Sequence, residues 1–246
     1  MDRKYTTFYF FSLQSKQSHP MAQAYMMFLY FFVFLLVLLS GAMCISSPGA
    51  VSSFSPGAQY IMLTFNAPNA ATTTKILDIL SSKKARATFF VTGVGSSLDE
   101  YKPLLGTMKS DGHELALYGS TQNHASFTRI PRDKISNQLS IASQHLHSIT
   151  GKHPKYVRPP LGQTNAHINE HIKVNASMQV ALWSIDAGDN EPASTLDSIF
   201  KAVTEKCSPG DIVLFHCIRD IVVTVLPTIL DGMTSICIYI LLYYYL

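Results

Sequence analysis

Residues 60–82 read YIMLTFNAPNAATTTKILDILSS, and this stretch decides the fold. Its first part, residues 60–65, is an apolar run with β-branched and aromatic side chains, which predicts a buried strand. Residues 72–82 then repeat apolar positions such as Ile76 and Leu80 at helical spacing, after threonines that suit a helix amino terminus. A strand that leads directly into a helix is the repeating unit of a parallel sheet.

The alternation of strand and helix continues through the rest of the chain. The clearest helix is predicted over 131–149, whereas a helix over 221–230 rests on the alternation alone, because Pro227 interrupts that segment. Further strands are predicted at 87–91, 114–118, 156–158, 179–185 and 212–216, with a possible seventh within 236–246. The pattern predicts an α/β fold, a closed or nearly closed barrel of about seven parallel strands with helices outside.

Polar residues that could carry chemistry follow the predicted strands. In parallel barrels the functional side chains lie at the carboxyl ends of the strands. We therefore expect the residues at or just after those ends to meet at one mouth of the barrel. They are Asn66, His124, Arg158, Asp189 and His216.

The amino-terminal region differs from the rest of the chain. Residues 25–39, YMMFLYFFVFLLVLL, are uninterrupted apolar residues, and positive charges precede them. This pattern predicts a signal peptide or an uncleaved signal anchor within residues 1–45, with the remainder on the outer side of a membrane. The domain is then secreted or membrane-anchored, and only this segment would touch a membrane.

Composition divides the rest of the chain and excludes some functions. The Ser-, Pro- and Gly-rich residues 46–58 predict a linker, residues 59–235 a single domain, and residues 236–246 an apolar tail. Hydrophobic residues make up 47% and charged residues 14% of the 246 residues, which argues against disorder. The net charge of +3, with no basic cluster among aromatic residues, argues against a nucleic-acid partner.

Five short motifs occur in a fixed order along the domain. Together they resemble the polysaccharide deacetylases, the NodB-homology carbohydrate esterases that include chitin deacetylases. The resemblance implies a distorted (β/α) barrel that hydrolyses N-acetyl groups of an N-acetylated polysaccharide or oligosaccharide. The motifs are LTFNAPN at 63–69, GHEL at 112–115 leading to His124, VRPPLG at 157–162, LWSIDAGD at 182–189 and GDIVLFH at 210–216.

The resemblance also assigns roles to individual residues. It implies a divalent metal such as zinc or cobalt, with His124 as one ligand, and His216 as the acid that protonates the leaving amine. Arg158 would orient the catalytic base, and Asp189 would be its partner. Asn66 stands in the place of that base. Three residues would bind substrate, namely Leu214 beside the acetyl methyl group, Pro160 and Leu161.

The first motif departs from the family pattern. The family reads TFDDGP, whose aspartates are the base and a metal ligand, whereas this chain reads TFNAPN. Tyr118 also replaces the first ligand histidine. Two hypotheses follow: a metal-dependent deacetylase, or a non-catalytic relative that binds glycan. Because an amide takes up no proton at neutral pH, we favour an inactive or weak enzyme without bound metal.

Overall fold

The computed structural model describes residues 47–53, 60–66, 70–92, 102–119, 125–235 and 239–240. The predicted leader, His124 and most of the carboxyl-terminal tail lie outside these residues. The strands are β1 (Ala50–Val51), β2 (Tyr60–Asn66), β3 (Thr88–Thr92), β4 (Glu114–Tyr118), β5 (Tyr156–Arg158), β6 (Gln179–Ala181), β7 (Ile185–Asp186), β8 (Ile212–Phe215) and β9 (Tyr239–Ile240). The helices are α1 (Ala70–Ser82), α2 (Lys102–Ser110), α3 (Arg132–Thr150), α4 (Ala166–Ala176), α5 (Leu196–Thr204) and α6 (Ile221–Ser235).

The strands form one curled parallel sheet. Its order is β1-β6-β5-β4-β3-β2-β8-β7, and β9 pairs with the first residues of β2. The predicted distorted (β/α) barrel is therefore confirmed. The predicted strand 179–185 is in fact two strands, because β6 pairs with β1 and β5 whereas β7 pairs with β8.

Alternate residues of the strands face opposite sides of the sheet. The outward positions pack with the helices, and there the ring of Phe65 stacks between those of Phe89 and Phe215, with centroids 5.2 Å away on each side. The inward positions form a second, smaller cluster that includes Met62 and Phe90. Apolar side chains thus fill the barrel interior below the mouth.

Residues 50–53, which precede β2 in the chain, belong to the barrel. Residues 46–58 were predicted as a linker, but β1 pairs with β6, and Ser53 forms an antiparallel bridge with Asp211 at the start of β8. Ala50 and Val51 thus lie on the β6 edge of the sheet, and Ser53 reaches the start of β8. The buried Asn169 of α4 holds the chain just before β1, because the side-chain amide donates to Ser47 Oγ and to the carbonyl oxygen of Pro48, each at 3.0 Å.

Asn169→Ala should lower the free energy of unfolding by about 1–3 kcal/mol, because it removes buried hydrogen bonds. The matched control is Asn175→Ala on the same helix, whose side chain is exposed and donates only within the helix turn to His171. Urea unfolding of both variants measures the difference. Equal losses in the two variants would show that the clamp on residues 47–53 contributes nothing to stability.

Within the described ranges, none of the helices is both long and apolar enough to cross a membrane.

Candidate functional site

The carboxyl ends of the strands bring two pairs of predicted residues into contact. Asn66 ends β2 and Arg158 ends β5, and their side chains meet. Asp189 follows β7 and His216 follows β8, and these side chains also meet. Because Phe65 of β2 pairs with Phe215 of β8, Asn66 and His216 leave adjacent strands at the same level.

Arg158 is completely buried, and the barrel interior holds its guanidinium group firmly. Nη2 donates to Thr64 Oγ1 at 2.9 Å and to the carbonyl oxygen of Leu182 at 3.1 Å. The guanidinium carbon lies 3.9 Å from the ring centroid of Phe90, a cation–π contact. Nε donates to the carbonyl oxygen of Ala181 at 3.4 Å, and together these contacts fix the position of the other amino group, Nη1.

Nη1 of Arg158 donates to Oδ1 of Asn66 at 3.1 Å. Since a guanidinium has no acceptor, this contact fixes the orientation of the Asn66 amide, with Oδ1 toward the arginine. The Nδ2 group of Asn66 then points away, and among the described residues no acceptor pairs with it. The residue in the place of the family base is therefore a hydrogen-bond donor toward the mouth.

Asp189 is also completely buried, and His216 is its main partner. The carboxylate accepts from the backbone N–H of His216 at 2.9 and 3.0 Å and from that of Cys217 at 3.2 Å. Oδ1 lies 3.1 Å from Nδ1 of the His216 ring. The proton is therefore on Nδ1, which leaves Nε2 as the ring atom that can exchange a proton with a ligand.

The predicted pairing of Asp189 with Arg158 is wrong. Asp189 follows β7, and β7 is the sheet neighbour of β8, so its carboxylate reaches the backbone just after β8. Arg158 instead reaches across the barrel interior to Thr64 and Asn66 on β2. The Asp189 carboxylate thus orients His216, whereas it had been expected to contact Arg158.

The predicted substrate-binding residues differ in exposure. Leu214 and Pro160 are buried, whereas Leu161 is 69% exposed and has a left-handed backbone with φ of 58°. Trp183 is half-buried and packs against the smaller apolar cluster inside the barrel. Its indole ring lies so close to Gly162 that a Cβ atom added to this glycine would be 2.8 Å from the ring. A branched side chain held in the left-handed region stores strain, which is commonest at functional loops.

The metal implied by the family has no complete ligand set in the described part of the chain. No three His, Cys, Asp or Glu side chains come together there closely enough to hold a metal ion. Tyr118, in the place of a ligand histidine, is half-buried and pairs in register with Arg158. His124 lies outside the described residues. The donors that are described do not by themselves fit a catalytic divalent metal, which normally has three protein ligands.

Thr64 and Phe90 belong to the site but were not identified from the sequence. Thr64 accepts from Arg158 and donates to the carbonyl oxygen of Val213 at 2.7 Å. Its position two residues before Asn66, on the same face of β2, is the signal that could have identified it.

A parallel barrel with these side chains at the carboxyl ends of its strands is the arrangement of a carbohydrate-modifying domain of the NodB type. The family model described as polysaccharide deacetylase matches residues 55–181, which is more than half of the chain. The chain belongs to the polysaccharide deacetylase family.

Two curated relatives show the range of the family. The chain is 33% identical over 162 residues to the peptidoglycan-N-acetylmuramic acid deacetylase PdaC of Bacillus subtilis, a match that covers 65% of this chain and 33% of PdaC. It is 36% identical over 105 residues to a chitin deacetylase of Pestalotiopsis, over 42% of this chain and 35% of that enzyme. The chain thus spans about a third of the length of each of these relatives.

Solved structures agree on the fold. The structure of Bacillus subtilis PdaC superposes with a TM-score of 0.67 at 28% identity, over 78% of this chain and 91% of that one. A carbohydrate esterase family 4 pseudoenzyme from Bacillus anthracis superposes with a TM-score of 0.71 at 21% identity, over 79% and 67% of the two chains. The second likeness shows the fold alone.

Proposed function

We propose that this domain binds N-acetylated polysaccharides or oligosaccharides at the mouth of the barrel and hydrolyses their acetamide groups weakly or not at all. The observation that carries the proposal is the contact between Arg158 and Asn66. It places an amide donor where hydrolysis requires a proton acceptor.

The loss of the base removes a large part of the catalytic power. Amide hydrolysis needs a group that takes a proton from the attacking water, and such a group contributes about 10²- to 10⁴-fold. The side chain of Asn66 is an amide, which takes up no proton at neutral pH, and its oxygen accepts a hydrogen bond from Arg158. With Tyr118 in the place of a ligand histidine, activation of water by a metal is weakened as well.

The same side chains suit the binding of an acetamide. Nδ2 of Asn66 can donate to the carbonyl oxygen of an acetyl group, and Nε2 of His216 faces the same level of the barrel. Leu214, buried on the neighbouring strand, offers an apolar contact for the methyl group. Leu161 exposes apolar surface just after β5 for the adjoining sugar.

A metal-dependent deacetylase of the same polysaccharides is the second candidate, and the Asp189–His216 pair favours it. An oriented histidine is what protonation of a leaving amine requires. A relative that only binds glycan has no evident need for this pair.

We propose that the domain acts on the outer side of a membrane, secreted or anchored there. The apolar residues 25–39 and the positive charges before them support this location.

Asn66→Asp tests the proposed function, because it keeps the shape and the Arg158 contact but replaces the amide donor with an acceptor. We expect about tenfold weaker binding of N-acetylglucosamine oligomers, the loss of roughly one hydrogen bond. Titration calorimetry measures it, with Asn175→Asp, far from the mouth, as the matched control.

Acetate release from the same oligomers, with added zinc or cobalt, separates the two candidates. We expect binding by the purified full chain without release above the blank. Metal-dependent release well above the blank would establish the deacetylase instead. Equal affinity of wild type and Asn66→Asp would contradict the role of Asn66, and no binding at all would contradict the proposal.

A further inference from the structure

Five exposed cationic side chains lie at the end of the barrel opposite the mouth, four on three adjacent loops and one, Lys109, in the last turn of α2 just before the second loop. These loops precede β3, β4 and β5, which are neighbours in the sheet, so they enter the amino ends of the strands. We call this surface the basic face. Its cations are Lys84, Arg86, Lys109, Lys152 and Lys155.

Side chains from one loop region contact the next, so the charges form one patch. The Arg86 side chain lies against Gly112 of the next loop. A Cβ atom added to this glycine would be 3.2 Å from Nε of Arg86. Lys109 reaches the third loop, where a Cβ on Gly151 would be 3.8 Å from its Nζ. The chain thus holds the cations of separate loops close together.

The basic face has a clear excess of positive charge. Two acidic residues, Asp111 and Glu114, lie in the same region. Burial raises the pKa of Glu114, and the charges of Lys152 and Lys155 oppose this in part, which places both lysines near that carboxyl. Lys83 and Asp231 form an ion pair whose charges cancel, so neither residue enters the count. Five cations and two carboxyl groups give the basic face a formal charge of +3, which equals the net charge of the whole chain.

A cavity of about 230 Å³ opens within the basic face. Lys84, Arg86, Asp111 and His113 are among its lining residues. Its size suits a single charged group such as a sulfate, a phosphate or a sugar carboxylate. The face therefore combines a pocket for one anionic group with surrounding positive charge for a repeating polymer.

We infer that the basic face binds an anionic polysaccharide, one whose sugars carry sulfate, phosphate or carboxylate groups. A membrane partner is disfavoured, because the exposed large apolar side chains of the described residues lie outside these loops, at Ile141, Leu161, Val174, Leu196 and Ile218. A single-stranded nucleic-acid partner is disfavoured, because residues 83–87, 109–113 and 151–155 contain no Phe, Tyr or Trp on which bases could stack. The inference holds whether or not the mouth is catalytic.

Binding of dextran sulfate, with neutral dextran as the uncharged comparison, tests this inference. The wild-type full chain should bind dextran sulfate at low ionic strength, progressively less as salt is added, and should not bind neutral dextran. The triple variant K84A/R86A/K109A should bind about tenfold more weakly. The matched control R129A/R132A/K134A removes the same charge from exposed residues at the mouth side, near the start of α3, and should bind like wild type.

Circular dichroism confirms that both triple variants are folded. Equal binding by the wild type and K84A/R86A/K109A, equal loss in the control, or no binding of dextran sulfate by the wild type would each overturn the inference. Binding to phosphatidylserine vesicles or to duplex DNA as tight as to dextran sulfate would overturn the assignment to a glycan.

Discussion

Asp189→Ala should lower the free energy of unfolding by about 3 kcal/mol, because it leaves buried donors without an acceptor. The Asp189 carboxylate is completely buried and accepts from the backbone N–H groups of His216 and Cys217 and from Nδ1 of His216. Alanine offers none of these groups an acceptor. The backbone just after β8, which sets the position of His216, should loosen as a result.

Urea unfolding of Asp189→Ala and Asp186→Ala side by side measures this effect. Asp186 is the matched control, because its side chain is 44% exposed and its Oδ1 lies 3.9 Å from Nδ1 of His216. We expect a loss below about 1 kcal/mol for that control. A second measurement, the NMR signal of the Nδ1 proton of His216, should be lost only in Asp189→Ala. Equal midpoints for the two variants would refute the structural role of Asp189.

The fold could be predicted because its strands are continuous apolar runs bounded by loops. The bounds of β4 and β5 match the predicted strands, since buried parallel strands leave a clear pattern in the sequence. The short β1 could not be predicted, because Ala50 and Val51 lie among Ser, Pro and Gly residues and pair only through tertiary contacts with β6. Where the stabilising contacts are distant in sequence, local composition is misleading.

The sequence indicated where Arg158 and His216 lie in the fold but not which side chains they contact. Arg158 and His216 are the last residues of predicted strands, and functional side chains of parallel barrels lie at the carboxyl ends of the strands, so both were expected at the mouth. The order of the strands in the sheet decides whether Asp189 lies beside Arg158 or beside His216. The sequence gives only the order of the strands along the chain. The split of residues 179–185 into β6 and β7 moves Asp189 next to β8 and thereby to His216.

His113 should make the protein less stable as the pH falls from about 6.5 to about 4. Burial, the largest effect, lowers the pKa of His113 to about 4, with an opposing effect from Asp111 and a further lowering from Arg86. Nδ1 accepts from the backbone N–H of Ala87 at 3.1 Å, and Nε2 is buried with no partner among the described residues. The folded protein therefore holds this ring in its neutral form.

The sign of the effect follows from which state binds the proton first. In the unfolded chain the pKa of His113 returns to about 6.5. Between pH 6.5 and 4 the unfolded state therefore binds a proton at His113 that the folded state does not bind. The stabilising contribution is complete above pH 6.5 and falls by about 1.4 kcal/mol per pH unit below it, to a total loss of about 3 kcal/mol.

Comparing His113→Asn with wild type isolates this contribution from other titrating groups, because asparagine keeps an acceptor near the position of Nδ1 and has no titration in this range. Urea unfolding at pH 7, 5.5 and 4.5 should show the stability difference between the two proteins shifting by about 2–3 kcal/mol in favour of the variant as the pH falls. His167→Asn, at an exposed position, is the matched control. Parallel curves for wild type and His113→Asn would mean that the folded protein protonates this ring as readily as the unfolded chain does, and that its burial imposes no penalty on the charge.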